Sequence, residues 1–262
     1  MRISLPTESE LEKGSSLGKD AWSRLRKNKL AMISMCFIGF MLIVCFIIAP
    51  LPFVDDPNEQ NLANRFASPS ADHIMGTDQL GRDLFSRILF GGQISMLVGF
   101  VATGVALIIG ITYGAISGYA GGRTDAIMMR IVDTLYAIPF LVLVIVLKVV
   151  IAGPMEEYLS WLGRFANIVP LFFAIGALGW LTLARITRTQ VMAIKEQEFV
   201  EAATSLGLSK LRILFRHIVP NTLGPAIVYA TLTIPSFILF EASLSYLGVG
   251  IEAPNSSWGI LI

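Results

Sequence analysis

Five stretches of this chain, at 30–51, 93–118, 126–151, 167–185 and 223–244, each run for about twenty residues with few charges. Such a run is long enough, as an α-helix, to cross a hydrocarbon layer of about 30 Å. In lipid every backbone N–H and C=O must be paired within its own segment. The runs therefore restrict the chain to an all-α, polytopic bundle of transmembrane helices. Composition agrees, with 54% hydrophobic and 15% charged residues, where a soluble domain carries about 25% charge. A formal net charge of +1 gives no global attraction to nucleic acid. The polar stretch 1–29 has no apolar signal-peptide core. The run at 30–51 is longer than such a core and lacks a small-residue cleavage pattern after it. It reads as a retained first transmembrane helix.

Lysine and arginine orient the chain. With the N-terminus in the cytoplasm, only Arg65, Arg82, Arg87, Lys148 and Arg164 of the 20 basic residues fall outside. The organisation is then a cytoplasmic segment at 1–29, a first helix at 30–51, an extracytoplasmic loop with an interfacial helix at 52–92, and a core at 93–262. A charged loop at 186–222 faces the cytoplasm.

Local patterns fill in this frame. In "GTDQLGRDLFSR" (76–87), Thr77 or Asp78 can cap a helix. Asp83 and Arg87 are spaced to pair at i,i+4. Leu84, Phe85, Ile88 and Leu89 share an apolar face, which predicts an interfacial helix leading into the second span. The second span carries Ala102, Ala106, Gly110, Gly114 and Gly118, all four apart. Such a stripe of small residues predicts close approach of another helix, within this chain or in a sister chain. In the third span Arg130 and Asp133 are placed to pair or snorkel, and Pro139 predicts a kink. Lys148 and Glu241 fall near the outer ends of their spans, where they could pair or line an outer mouth.

Catalytic patterns are missing. The two histidines, His73 and His217, fall on opposite sides of the membrane. There is no H-E-x-x-H, G-x-S-x-G or P-loop sequence. Cys36 and Cys45, nine apart in one apolar run, read as small packing residues. No catalytic residue, metal site or cofactor is predicted in this chain.

What remains is the charged stretch "EFVEAATSLGLSKLRILFRHIVPN" (198–221) between two greasy spans. Glu198 and Glu201 place negative charge in a first helical turn, where the helix dipole favours it. Gly207 can adopt positive φ and end that helix. Ser209 can cap a second helix, with Leu211, Ile213, Leu214 and Ile218 as its apolar side, and Pro220 and Asn221 stop it. The segment reads either as an ordinary inner loop or as a helix–turn–helix knob for a soluble partner.

This stretch resembles the EAA loop of permease subunits of bacterial ABC importers, whose pattern is E-A-A-x3-G-x9-I-x-L-P. Glu201, Ala202, Ala203, Gly207 and Pro220 match; His217 and Val219 stand where the pattern has Ile and Leu. "RHIVPN", "GTDQLGRDLFSR" (76–87), "GYAGGRTDAIMMR" (118–130) and "LSYLGVGIEAPNSSWG" (244–259) are similar to the peptide-importing branch, closest to its C-type oligopeptide and dipeptide permeases. The likeness runs from about Trp22 onward. It implies a sixth span beyond "SSWG", absent from this chain, and a loop at 153–167 longer than usual that forms an extra outer helix.

The resemblance implies a non-catalytic subunit of the bacterial inner membrane. Its partners would be a sister permease, two ATPase subunits carrying ATP and Mg²⁺, an extracytoplasmic peptide-binding protein, and the peptide itself. It implies that Glu198, Glu201, Ala202, Ala203, Ser205, Leu206, Gly207, Leu208 and Ser209 contact the ATPase, and leaves Lys148 and Glu241 as residues that could meet a peptide terminus. A permease for nickel or another small solute is the nearest alternative. A self-contained secondary transporter would show inverted repeats and midplane charges, which this sequence lacks.

Overall fold

The computed structural model describes residues 17–52 and 54–261. The chain divides into two units, Met1–Leu51 and Pro52–Ile262. Among the described residues, Lys29–Ile48, Leu84–Ala120, Val169–Lys195 and Lys210–Tyr246 are long and apolar enough to cross a membrane. A bent pair, Gly122–Tyr136 plus Phe140–Tyr158, adds another if it is counted as one span.

In the first unit, helix α1 (Leu17–Lys27) ends in Arg24, Arg26 and Lys27. Asn28 then caps α2 (Lys29–Ile43), its Oδ1 accepting the Ala31 N–H at 3.2 Å. The helix continues as a π turn, Val44–Ile48. Leu30, Ile33, Phe37, Phe40 and Ile47 are exposed, as a lipid-facing helix requires.

The second unit is built on α3 (Leu84–Ala120) and α6 (Val169–Lys195). The interfacial helix and second span expected from sequence are one 37-residue helix. Its cap is Asp83, not Thr77 or Asp78. Asp83 Oδ2 accepts both the backbone N–H and the hydroxyl of Ser86 at 2.8 Å. That role takes Asp83 away from Arg87, which lies near Asp78 instead, at 3.4 Å.

The ladder Ala102, Ala106, Gly110, Gly114 and Gly118 is buried, and its glycines lie against α6. A Cβ on Gly110 would sit 2.6 Å from Leu183 Cβ, and one on Gly118 would sit 2.7 Å from the Arg188 carbonyl oxygen. On Gly114 it would strike the Ala184 carbonyl oxygen. α6 returns the fit with Gly176, whose Cβ would come within 2.7 Å of the Ala102 carbonyl oxygen. Between helices in lipid, packing of this kind does what water exclusion does in a soluble core.

At Pro139 the chain does more than kink. α4 (Gly122–Tyr136) and α5 (Phe140–Tyr158) meet at 95°. Proline lacks the N–H that would continue the helix, and it pushes the residue before it out of helical geometry. Arg130 and Asp133 do not pair. Asp133 reaches Arg185 of α6 at 2.6 Å, and Arg130 is exposed. The loop 153–167 is no separate α-helix: α5 runs on through Pro154 to Tyr158, and a 3₁₀ segment, Ser160–Phe165, completes it.

After α6 come α7 (Glu198–Ser205) and α8 (Lys210–Ile213). Pro220 and Asn221 do not stop α8. A π turn, Leu214–Ile218, carries it directly into α9 (Val219–Tyr246), making one helix from Lys210 to Tyr246. Proline at the start of α9 falls where the wider π turn has already shifted the hydrogen-bond register, so its missing N–H breaks no ladder. Of the apolar side expected for α8, Ile213, Leu214 and Ile218 are buried, while Leu211 is exposed. A final turn, α10 (Trp258–Leu261), lies against α3 and α9. Its Trp258 N–H donates to Ser95 Oγ at 3.2 Å, and its indole N–H to the Ile88 carbonyl at 3.0 Å.

Candidate functional site

Helix α7 sits where α3 and α6 both end, and short-range chemistry fixes its attitude. Gln197 is extended at its N-terminus, and Glu198 and Glu201 occupy the first turn. At its other end the backbone closes twice: Leu208 N–H donates to the Ala203 carbonyl at 3.3 Å, and Gly207 N–H to the Thr204 carbonyl at 2.9 Å. With Gly207 at φ 75, this is a Schellman stop. Ser209 follows in extended geometry at the N-terminus of α8, without a side-chain cap, contrary to the sequence expectation.

One face of α7 is anchored. Val200 and Ala203 are buried in a cluster with Ala115 of α3, Val191 and Ile194 of α6, and Ile213, Leu214 and Ile218 beyond. The other face is free. Glu198, Glu201, Ala202, Ser205, Leu206, Gly207 and Ser209 are exposed, Leu206 at 81%, and Leu208 is half-buried. Of the expected contact residues, Ala203 differs: its side chain packs inward beside Val200 and is not on the free face. Beside α7 an open groove is lined by Tyr119, Lys195, Glu201, Thr204, Lys210 and Leu211, among others. Lys195 Nζ donates to the Tyr119 carbonyl at 3.1 Å, tying the end of α6 to the end of α3.

Charges brace α4 against α6 near this surface. Arg188 grips Asp125 with two nitrogens, each at 2.5 Å, and Ser117 Oγ donates to Asp125 Oδ1 at 2.6 Å. Arg185 takes Asp133 and also lies 4.2 Å over the Tyr136 ring. Sequence reasoning missed the Asp125–Arg188 pair. The partners are 63 residues apart, and only the presence of a charge in each helix hinted at it.

Lys148 and Glu241 do not pair and do not line a mouth. Both are buried, at 7% and 0% exposure. Lys148 Nζ donates to the carbonyls of Val249 and Gly250 at 3.0 and 2.8 Å and meets Glu252 at 3.2 Å. Glu241 Oε1 accepts the hydroxyls of Ser245 and Ser257 at 2.6 and 2.8 Å. From two helices, both hold the segment that follows α9. They are structural clamps because buried charge must be met by polar partners.

At the opposite end of α3 from α7, the loop before Asp83 turns on Asp78. Partial burial pushes its carboxyl up, but the amides of Arg82 and Leu80, and the Arg82 guanidinium, outweigh that and hold it below its ordinary value.

The described residues thus form an all-α membrane-type bundle with a short exposed helix slung between two spans. The chain belongs to the family of binding-protein-dependent transport system inner membrane components, whose sequence pattern it matches over residues 110–262. Residues 16–69 match the N-terminal transmembrane domain of oligopeptide transport permease C. It is 46% identical to the oligopeptide transport system permease protein OppC of Bacillus subtilis over 250 residues, 95% of this chain and 77% of that protein. It is 43% identical to the dipeptide transport system permease protein DppC of the same organism over 246 residues, 94% and 72% of the two chains. With OppC of Escherichia coli K12 the identity is 42% over 252 residues, 95% and 78%.

Proposed function

We propose that this chain is the permease subunit of a peptide ABC importer in the bacterial inner membrane, N-terminus in the cytoplasm, and that Glu198–Ser209 is its contact with an ATPase subunit. The observation that carries the second part is the geometry of α7: anchored by Val200 and Ala203, free on the opposite face, and stopped by Gly207 so that the chain re-enters the bundle as one helix to Tyr246. Support for peptide as cargo comes from relatives named for oligopeptide and dipeptide transport, 40–46% identical over nearly the whole chain.

In this reading a sister permease completes the pathway, and a binding protein delivers peptide from outside. Two partner ATPases bind and hydrolyse ATP with Mg²⁺. ATP acts by binding one arrangement of the ATPases better than another, and α7 passes that bias to α3, α6 and α9. In this division of labour the task of the chain itself is mechanical.

The test is reconstitution in liposomes with the co-encoded permease, ATPases and binding protein. The expected result is uptake of labelled peptide that needs ATP, and a cross-link to an ATPase subunit from Ser205→Cys, an exposed position. Uptake of nickel but not peptide would replace the cargo, and the absence of any cross-link from α7 would remove the contact.

A further inference from the structure

Two carboxylates and an imidazole that transport does not use meet at the other end of α3. Asp55 lies at the beginning of the loop, His73 in its middle, and Asp83 at the N-terminus of α3. One donor atom from each lies within 4.8 Å of the other two. The three are far apart in sequence, so no single turn gathers them.

Two of the three are held in place. Asp83 Oδ2 is taken by Ser86, which leaves Oδ1 facing His73 Nδ1 at 3.1 Å. The His73 backbone is fixed on both sides: its N–H donates to Ser70 Oγ at 3.1 Å, and its carbonyl accepts from Ser70 and Gly76 at 2.8 and 2.9 Å. Asp55 is exposed and forms no ion pair among the described residues. Arg82 and Arg87 of this loop do not neutralise the cluster, because both face Asp78. Two carboxylates and an imidazole thus bring donor atoms within 4.8 Å of one another, and among the described residues no arginine or lysine is paired to either carboxylate.

We propose that Asp55, His73 and Asp83 form a divalent-cation site of the zinc class, binding through imidazole Nδ1 and two carboxylate oxygens. The donor set favours this class. Zinc takes mixed nitrogen and oxygen ligands at about 2.0–2.1 Å, so tetrahedral ligand atoms stand roughly 3.3 Å apart. The His73–Asp83 separation of 3.1 Å is already near that spacing. Calcium and magnesium prefer oxygen-only shells with more ligands. Asp55, on an exposed side chain, closes the remaining distance by rotating its carboxylate. The bound cation cancels the repulsion between the two carboxylates and fastens the start of the loop to the cap of α3. This inference stands apart from the transport reading, since it concerns binding alone.

The test uses the assembled permease complex purified without a polyhistidine tag, stripped with chelator and dialysed against micromolar Zn²⁺. Bound metal is measured by elemental analysis, and Co²⁺ replaces Zn²⁺ to report geometry by its visible spectrum. The expected result is one more equivalent per permease chain in the wild type than in Asp55→Asn, with affinity lowered about tenfold or more in Asp55→Asn and His73→Gln. Asp55→Asn is the decisive variant because its side chain is exposed and caps no helix. Equal metal content in the wild type and Asp55→Asn overturns the proposal. It would mean that His73 is simply the hydrogen-bond partner of Asp83.

Discussion

At the scale of single residues, Gly207 separates conformation from contact. Its φ is 75, and a Cβ there would meet nothing within 4 Å. A substitution is therefore opposed by the left-handed backbone alone, by about 1–2 kcal/mol for an ordinary L residue. That is too little to unfold a spanning bundle but enough to loosen an eight-residue helix. Gly207→Val is expected to insert normally and to lower peptide uptake, with weaker ATPase retention or hydrolysis uncoupled from transport. Gly207→Asn, which tolerates this region better, is expected to retain most activity. Uptake, ATPase co-purification and ATP hydrolysis at matched membrane levels decide it, and wild-type values for the valine variant would contradict the role. The positive φ of Gly207 was legible because a glycine followed an acidic, helix-favouring run. The inward turn of Ala203 was not, since it depends on where α3 and α6 end.

At the scale of elements, the seam between α3 and α6 is set by backbone proximity. The stripe from Ala102 to Gly118 could be read from its spacing of four, yet its partner could not, because half of each contact belongs to α6. A leucine at Gly110 must displace Leu183 or part the helices, as even a Cβ stands only 2.6 Å from Leu183 Cβ. Gly110→Leu is expected to reduce the yield of intact complex severely, while Gly104→Leu, with nothing within 4 Å of its Cβ, is not. Detergent extraction and size-exclusion chromatography of both variants compare them, and equal yields would argue against the seam. Two sequence expectations failed for one kind of reason. Pro220 looked like a stop because proline usually is one, but the π turn before it absorbs the missing N–H. Asp83 looked like a partner for Arg87 by spacing, but a helix N-terminus offers it the Ser86 N–H first.

At the scale of the whole molecule, the apolar runs made the bundle legible and left its bracing obscure. The buried places of Lys148 and Glu241 could not be foreseen, because all the partners of Lys148 and one of the two hydroxyls that meet Glu241 lie in the irregular segment after α9. The Asp125–Arg188 pair is the brace with most at stake. Removing Arg188 leaves Asp125, 8% exposed, with the Ser117 hydroxyl as its remaining side-chain partner among the described residues, which costs up to about 3 kcal/mol when a partly buried pair is broken. Arg188→Ala is expected to lower the melting temperature of the purified complex, and Arg188→Lys to restore it only in part because the grip is two-pronged. An unchanged melting temperature in the alanine variant would assign α4 another support. The 37 residues of α3 add a consequence of their own. At 1.5 Å per residue the helix is about 55 Å long, nearly twice the hydrocarbon thickness. A rod of that length turns small angles into large displacements: pivoted at one end, a tilt of about 10° sweeps the other through roughly 10 Å. The anchored end of α7 and the loop of Asp55, His73 and Asp83 sit at its two tips, so each is the far end of the other's lever.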